Sequence, residues 1–172
     1  LPYGITAYKD YDVIRLTKEK NDEDTAEEKT EYEISRDMLS DNGIDSIFYN
    51  VYLPDKKELC KRIRITADVG KYSGRNTDIP KNICTKWFDY GKMGDKLNIR
   101  RIAPEDYFFI AGGRKKTMAR YMIDEKIPRM YREKLLVAAE GRKVMWVIGG
   151  RASEEYFLKD STDEVLMMNV VI

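Results

Sequence analysis

The sequence predicts an α+β domain of largely antiparallel sheets with a few short helices. Short runs of alternating β-branched and aromatic residues recur along it, an apolar stripe at helical spacing occurs in only one stretch, and no strand–helix–strand rhythm is present. Residues 4–16 (GITAYKDYDVIRL) mix apolar and polar positions as a hairpin pair of strands would. Residues 30–35 (TEYEIS) alternate cleanly, as a half-buried strand does. Residues 47–53 (IFYNVYL), closed by Pro54, and residues 61–67 (KRIRITA) follow as two more strands. Residues 71–81 are rich in Ser, Gly, Asn, Asp and Pro and read as a loop. Residues 85–90 and 96–102 (KLNIRRI) are strand-like, separated by a turn around Gly91 and Gly94.

The second half opens differently. In residues 117–125, Met118, Tyr121 and Met122 fall at helical spacing behind Thr117, a natural N-cap, and the stripe predicts a core-facing side. Pro128 ends that helix and suits the first position of a second, short one at Arg129–Lys134. Residues 135–139 and 144–148 predict an apolar hairpin around Glu140 and Gly141. Gly149 and Gly150 then make a turn, and residues 164–172 form a final strand.

The 172 residues fit one domain over 1–172, with a β-rich lobe at 1–90 and a second lobe at 91–172. A hydrophobic content of 42% argues against a disordered chain, and 35% charged residues argue against a membrane protein. No apolar run approaches the roughly 18 residues a spanning helix needs, and no signal segment opens the chain. Because it begins at Leu1 rather than Met, the expectation is a piece of a longer protein; the expected location is cytoplasmic. With no histidine anywhere, Ser-His-Asp and Cys-His catalysis and imidazole-based zinc sites are excluded. Cys60 and Cys84 lack the C-x-x-C spacing of a zinc knuckle or redox pair and read as buried thiols. No glycine-rich nucleotide cradle is present, so no catalytic residue, metal site or cofactor site is assigned.

The net charge of +1 hides a strong asymmetry. Residues 10–37 carry five basic and eleven acidic side chains, residues 114–134 eight basic and three acidic. The acidic excess centres on residues 18–28 (KEKNDEDTAEE), a solvated connection without the glycine a calcium loop requires. The basic excess asks for an anionic partner. It falls within GGRKKTMARYMIDEKIPRMYR, residues 112–132, where two glycines permit close backbone approach and Arg114, Lys115 and Lys116 lead toward a helix start. Lys116 and Arg120 are four apart, on the face opposite the Met/Tyr stripe, and Arg129 and Arg132 are three apart on the next helix. Such convergent cations suit phosphodiester oxygens. Asp106, Asp124 and Glu125 are the carboxylates a metal-dependent nuclease would use. Adjacent Asp124 and Glu125 point in different directions on a helix, however, and read as surface charges.

Several strings together carry a resemblance. IRRIAPED (residues 99–106), GGRKK, DEKIP followed by Arg132, and VMWVIGGRASEEYF (residues 144–157) resemble the C-terminal region of bacterial tRNA(Ile)-lysidine synthetases. TKWFDYGKM (residues 85–93) and the opening LPYGITAYKDYDVI are similar to the same region. The family pattern runs I-R-x-R-x-P-G-D, a basic pair, D-x-K-I-P-x-x-x-R and W-V-x-G-x-R. Arg100, Arg114, Lys115, Lys116, Lys126, Arg132 and Arg151 occupy its basic positions, and Arg120 and Arg129 lie between them. Glu105 stands where the family has glycine. A carboxylate there would repel phosphate, so residues 104–107 are expected to make no RNA contact.

The resemblance implies a fold similar to a tRNA-binding region of the phenylalanyl-tRNA synthetase β chain, and a role in gripping the tRNA acceptor stem. It implies that the parent enzyme ligates lysine to the wobble cytidine of an isoleucine tRNA. The ATP and Mg for that step would be held by an N-terminal domain carrying S-G-G-x-D-S. That motif is absent here, so the expectation is a fragment without activity or cofactor of its own, with a homodimer expected through the parent enzyme. The alternative is a protein-interaction or dimerisation module, with the basic ridge meeting residues 22–28 of another copy.

Overall fold

The computed structural model describes residues 30–74, 79, 81–82 and 84–172, together with the backbone of residues 5–10 and 13–18. β1 (Ile5–Asp10) and β2 (Val13–Lys18) pair antiparallel as a two-stranded ribbon. The acidic connection at 18–28 lies outside the described residues beyond Lys18. There follow β3 (Glu31–Ser35), α1 (Arg36–Asp41), β4 (Ile44–Leu53), β5 (Glu58–Lys71), β6 (Thr85–Asp89), β7 (Lys96–Arg101), β8 (Tyr107–Ile110) and β9 (Arg114–Thr117). α2 (Met118–Asp124), a 3-10 turn (Arg129–Lys134), β10 (Leu136–Glu140), β11 (Lys143–Val147) and β12 (Glu164–Val171) complete the chain.

The strands form a six-stranded sheet, ordered β3-β7-β10-β11-β8-β9, and a four-stranded sheet, ordered β4-β5-β12-β6. Pairing is antiparallel throughout these two sheets except where β11 meets β8. The α+β expectation holds. Each sheet draws strands from both sides of residue 90, so the charge asymmetry along the sequence does not follow the division between sheets.

The central hairpin explains the layering. Strands β10 and β11 are buried along nearly their whole length, so both of their faces are covered; β10 alternates between two cores, while β11, paired to it across a bulge, divides Met145 and Trp146 from Val144 and Val147. Leu136, Ala138, Met145 and Trp146 join Phe48, Ile63, Ile65, Phe88 and Leu166 between the sheets. Val137, Ala139, Val144 and Val147 face Met118 and Tyr121 of α2. Trp146, fully buried, tilts against Phe88 at 6.1 Å between centroids, and its Nε1 donates to the Gly150 carbonyl at 3.1 Å. The apolar bulk and the polar handle of the indole are both satisfied there.

Helix α2 starts where the sequence places it. The Thr117 hydroxyl accepts from the Arg120 amide at 3.3 Å, and Met118 and Tyr121 are buried. Replacing Thr117 by Ala should cost about 1 kcal/mol, through loss of one cap bond. A urea unfolding curve reads this as a lower midpoint at constant slope; an unmoved midpoint would show that packing alone sets the helix start.

Three elements differ from expectation. Strand β5 runs to fourteen residues because alternation continues on both flanks of residues 61–67. Helix α1, capped by the Ser35 hydroxyl on the Met38 amide, is six residues long and too short to display a helical period. The stretch from Tyr107 to Thr117 is a hairpin, β8–β9, so the basic triplet leads into α2 as a paired strand rather than as a loop. Lysine and arginine carry little strand signal, which hides it in the sequence.

Candidate nucleic-acid interface

The strongest charged contact faces inward. Asp106 is fully buried, and its two carboxylate oxygens accept from both terminal nitrogens of Arg100 at 2.8 Å each. Oδ2 also accepts from the Ala103 amide at 2.7 Å, while Arg100 donates to the carbonyls of Arg101 and Gly141. The carboxylate raises the Arg100 pKa further above its usual value, chiefly through these bonds. Arg100 therefore leaves the candidate set. With both terminal nitrogens engaged and its side chain 17% exposed, it is poorly placed to grip an external phosphate as well.

The hairpin of β8 and β9 forms an open edge of the six-stranded sheet. Gly112 and Gly113 turn it with φ of 74° and 70°, values that favour glycine, and a Cβ on either would meet nothing within 4 Å. Arg114 and Lys115 are exposed and, among the described residues, make no ion pair. The Arg114 Nε donates to the Ala111 carbonyl, and the Lys115 ammonium sits 3.7 Å from the Tyr107 ring centroid. Phe109 meets Tyr107 edge-on at 5.8 Å, while Phe108 between them is buried. One face of the hairpin thus presents two aromatic rings beside Lys115, while Arg114, paired with Ile110, lies on the other face.

Lys116 and Arg120 are held back. Their nitrogens lie 2.8 and 2.9 Å from the two oxygens of Asp124, whose carboxyl is held below its ordinary range chiefly by the Lys116 bond. The trio keeps one net positive charge, with Arg120 69% exposed on its outer side and Lys116 only 15%. Asp106 and Asp124 are each engaged by cations. Among the described residues, no group of three or more His, Cys, Asp or Glu is placed to hold a metal.

The remaining cations sit around the turn after α2. Lys126 adopts a φ of 53°, which lets buried Ile127 donate its amide to Met122 and pack with Tyr52 and Leu135. The Arg132 Nε donates to the Ile127 carbonyl at 3.1 Å, and Tyr131 stacks on Tyr52 at 4.7 Å and 13°. Lys126 and Arg129 are exposed and have no ion-pair partner among the described residues. Arg151 stands apart from both groups in a cleft of about 320 Å³ that also holds Asp55, Lys86 and Glu125. Burial raises the Asp55 carboxyl above its ordinary pKa. That cleft is of mixed sign and a weaker phosphate site than the hairpin.

Sequence reasoning missed the outward pair Tyr107 and Phe109, although the alternation in YFFI was a usable signal.

No family model matches the sequence. The tRNA(Ile)-lysidine synthase of Caldanaerobacter subterraneus subsp. tengcongensis is 27% identical over 169 residues, covering 98% of this chain and 32% of its own length. That of Clostridium acetobutylicum is 26% identical over 171 residues, covering 99% of this chain and 33% of its own. That of Parabacteroides distasonis is 32% identical over 93 residues, or 53% of this chain. A solved structure described as a TILS C-terminal domain matches with a TM-score of 0.52 at 17% identity, over 74% of this chain and 96% of that one. The chain spans about a third of the length of the first two relatives and corresponds to their C-terminal part. The resemblance carried by the motifs is borne out.

Proposed function

We propose that this chain, similar along nearly its whole length to the C-terminal part of tRNA(Ile)-lysidine synthases, is the tRNA-binding region of such an enzyme and grips the acceptor stem. That near-complete coverage is the observation that carries the reading. The parent would ligate lysine to the wobble cytidine of an isoleucine tRNA in the cytoplasm. Adenylation by ATP, with its Mg, would belong to a catalytic part beyond this chain, which by itself would be inactive. Any homodimer would form through the parent.

The chemistry of the surface supports this reading. An A-form stem hides its base edges in a deep, narrow groove, so a protein meets it through phosphate spacing, shape and 2′-hydroxyls. Arg114 and Lys115 project from a strand whose backbone is fixed by pairing with β8, so little order is lost when they engage phosphate. Lys126, Arg129 and the outer side of Arg120 extend the cationic surface, and Arg132 and Lys116 support it from half-buried positions. Three to five phosphate contacts imply a slope of log affinity against log salt of about −2 to −4. Titrating an acceptor-stem minihelix at two salt concentrations measures it. Affinity indifferent to salt contradicts the reading, as does self-association that competes with RNA.

A further inference from the structure

A carboxylate sits inside the cationic surface. Asp124 closes α2, and its two oxygens are taken separately, Oδ2 by the Lys116 ammonium at 2.8 Å and Oδ1 by the Arg120 Nε at 2.9 Å. Lys116 comes from the paired strand β9 and Arg120 from the helix, so two elements converge on one anionic group. The two cations hold the Asp124 carboxyl below its ordinary range, so it stays ionised at neutral pH.

Helix stability gives no reason for an acid at this position. A carboxylate on the last residue of a helix meets the end where carbonyl oxygens gather, and a cation would suit that end better. The arginine also lies N-terminal to the acid, the less favourable order for a pair four residues apart. The side chains of Asp124 and Arg120 are 32% and 69% exposed, and pairs that reach water add little to folding. What the arrangement does supply is a held anion. Two cations on separate oxygens of one carboxylate are placed as they would be on two non-bridging oxygens of a phosphodiester. A phosphate reaching Lys116 must displace Asp124, and one resting on the outer side of Arg120 still meets its charge.

We infer, on the tRNA-binding function proposed above, that Asp124 is a built-in competitor for phosphate, which occupies a subsite formed by Lys116 and Arg120 and lowers the affinity of this surface for RNA. The exchange sets a threshold. RNA that engages further cations at the same time offsets the loss of the internal pairs, whereas an isolated anion gains little.

Minihelix titrations with the full chain compare wild type, D124N, D124A and D45N. The last removes an equal charge from the exposed Asp45–Arg64 pair of the four-stranded sheet. Both Asp124 variants should bind about five- to tenfold more tightly at low salt, with a salt slope steeper by about 1, whereas D45N gains less than about twofold. R120Q should cost more affinity in the D124N background than in wild type, because only there is the guanidinium released from its internal partner. Equal gains in D124N and D45N would reduce the effect to net charge and overturn the competitor role. Unchanged or weaker binding in both Asp124 variants overturns it too, as does an equal cost of R120Q in both backgrounds. Salt-dependent binding by wild type in those cases leaves the tRNA reading intact. A minihelix bound by neither wild type nor any variant rejects that reading and the competitor role together.

Discussion

Replacing Asp106 by Ala is expected to destabilise the fold by about 3–5 kcal/mol, as when one partner of a buried ion pair is removed. The carboxylate has no solvent exposure, and its removal strands the Arg100 guanidinium and the Ala103 amide at once. The same group joins three parts of the six-stranded sheet. Arg100 lies on β7 and Asp106 precedes β8, while Gly141, in the β10–β11 turn, accepts from Arg100. Asp106→Asn keeps the shape but loses the charge, and should fall between wild type and Ala. Urea denaturation ranks the three. A loss below about 1 kcal/mol for Ala would mean that water enters and satisfies Arg100. Minihelix affinity per folded molecule should be unchanged in both variants, since neither side chain faces the proposed partner.

The opposite pattern is expected on the hairpin edge. Reversing Arg114 and Lys115 to Glu should weaken minihelix binding by about 30- to 100-fold and make the salt slope shallower by about 2. Stability should move by only about 0.5 kcal/mol, because these are exposed positions on an edge strand and the Tyr107 contact of Lys115 is a solvent-facing one. Anisotropy titrations at matched salt, beside melting curves, separate the two effects. RNA affinity that survives the reversal would move the interface elsewhere. Lys116→Ala should do much less than either reversal, since Asp124 already neutralises most of what Lys116 offers.

Much of the fold could be read in the sequence where burial has a period. The β10–β11 hairpin, the Thr117 cap, the α2 stripe and β12 all appear close to their expected places, because each buries apolar residues at a spacing that sequence displays. Charged strands escaped. RKKT joins the sheet through its pairing with YFFI, a tertiary cause that no local pattern announces. The site divides the same way. Basic residues were easy to find, but Arg100 and Lys116 look no different in sequence from Arg114 and Lys115. Only the fold brings Asp106 and Asp124 against the first two and leaves the others facing solvent.

The position of β9 at the end of its sheet has a consequence for solubility. A terminal strand exposes a row of unpaired backbone donors and acceptors, and a second molecule could add to it and extend the ladder indefinitely. Three consecutive cations make such zipping repulsive. The residues that would welcome a nucleic acid therefore also keep neighbouring copies from aggregating, and exchanging them for neutral strand-formers would remove both properties together.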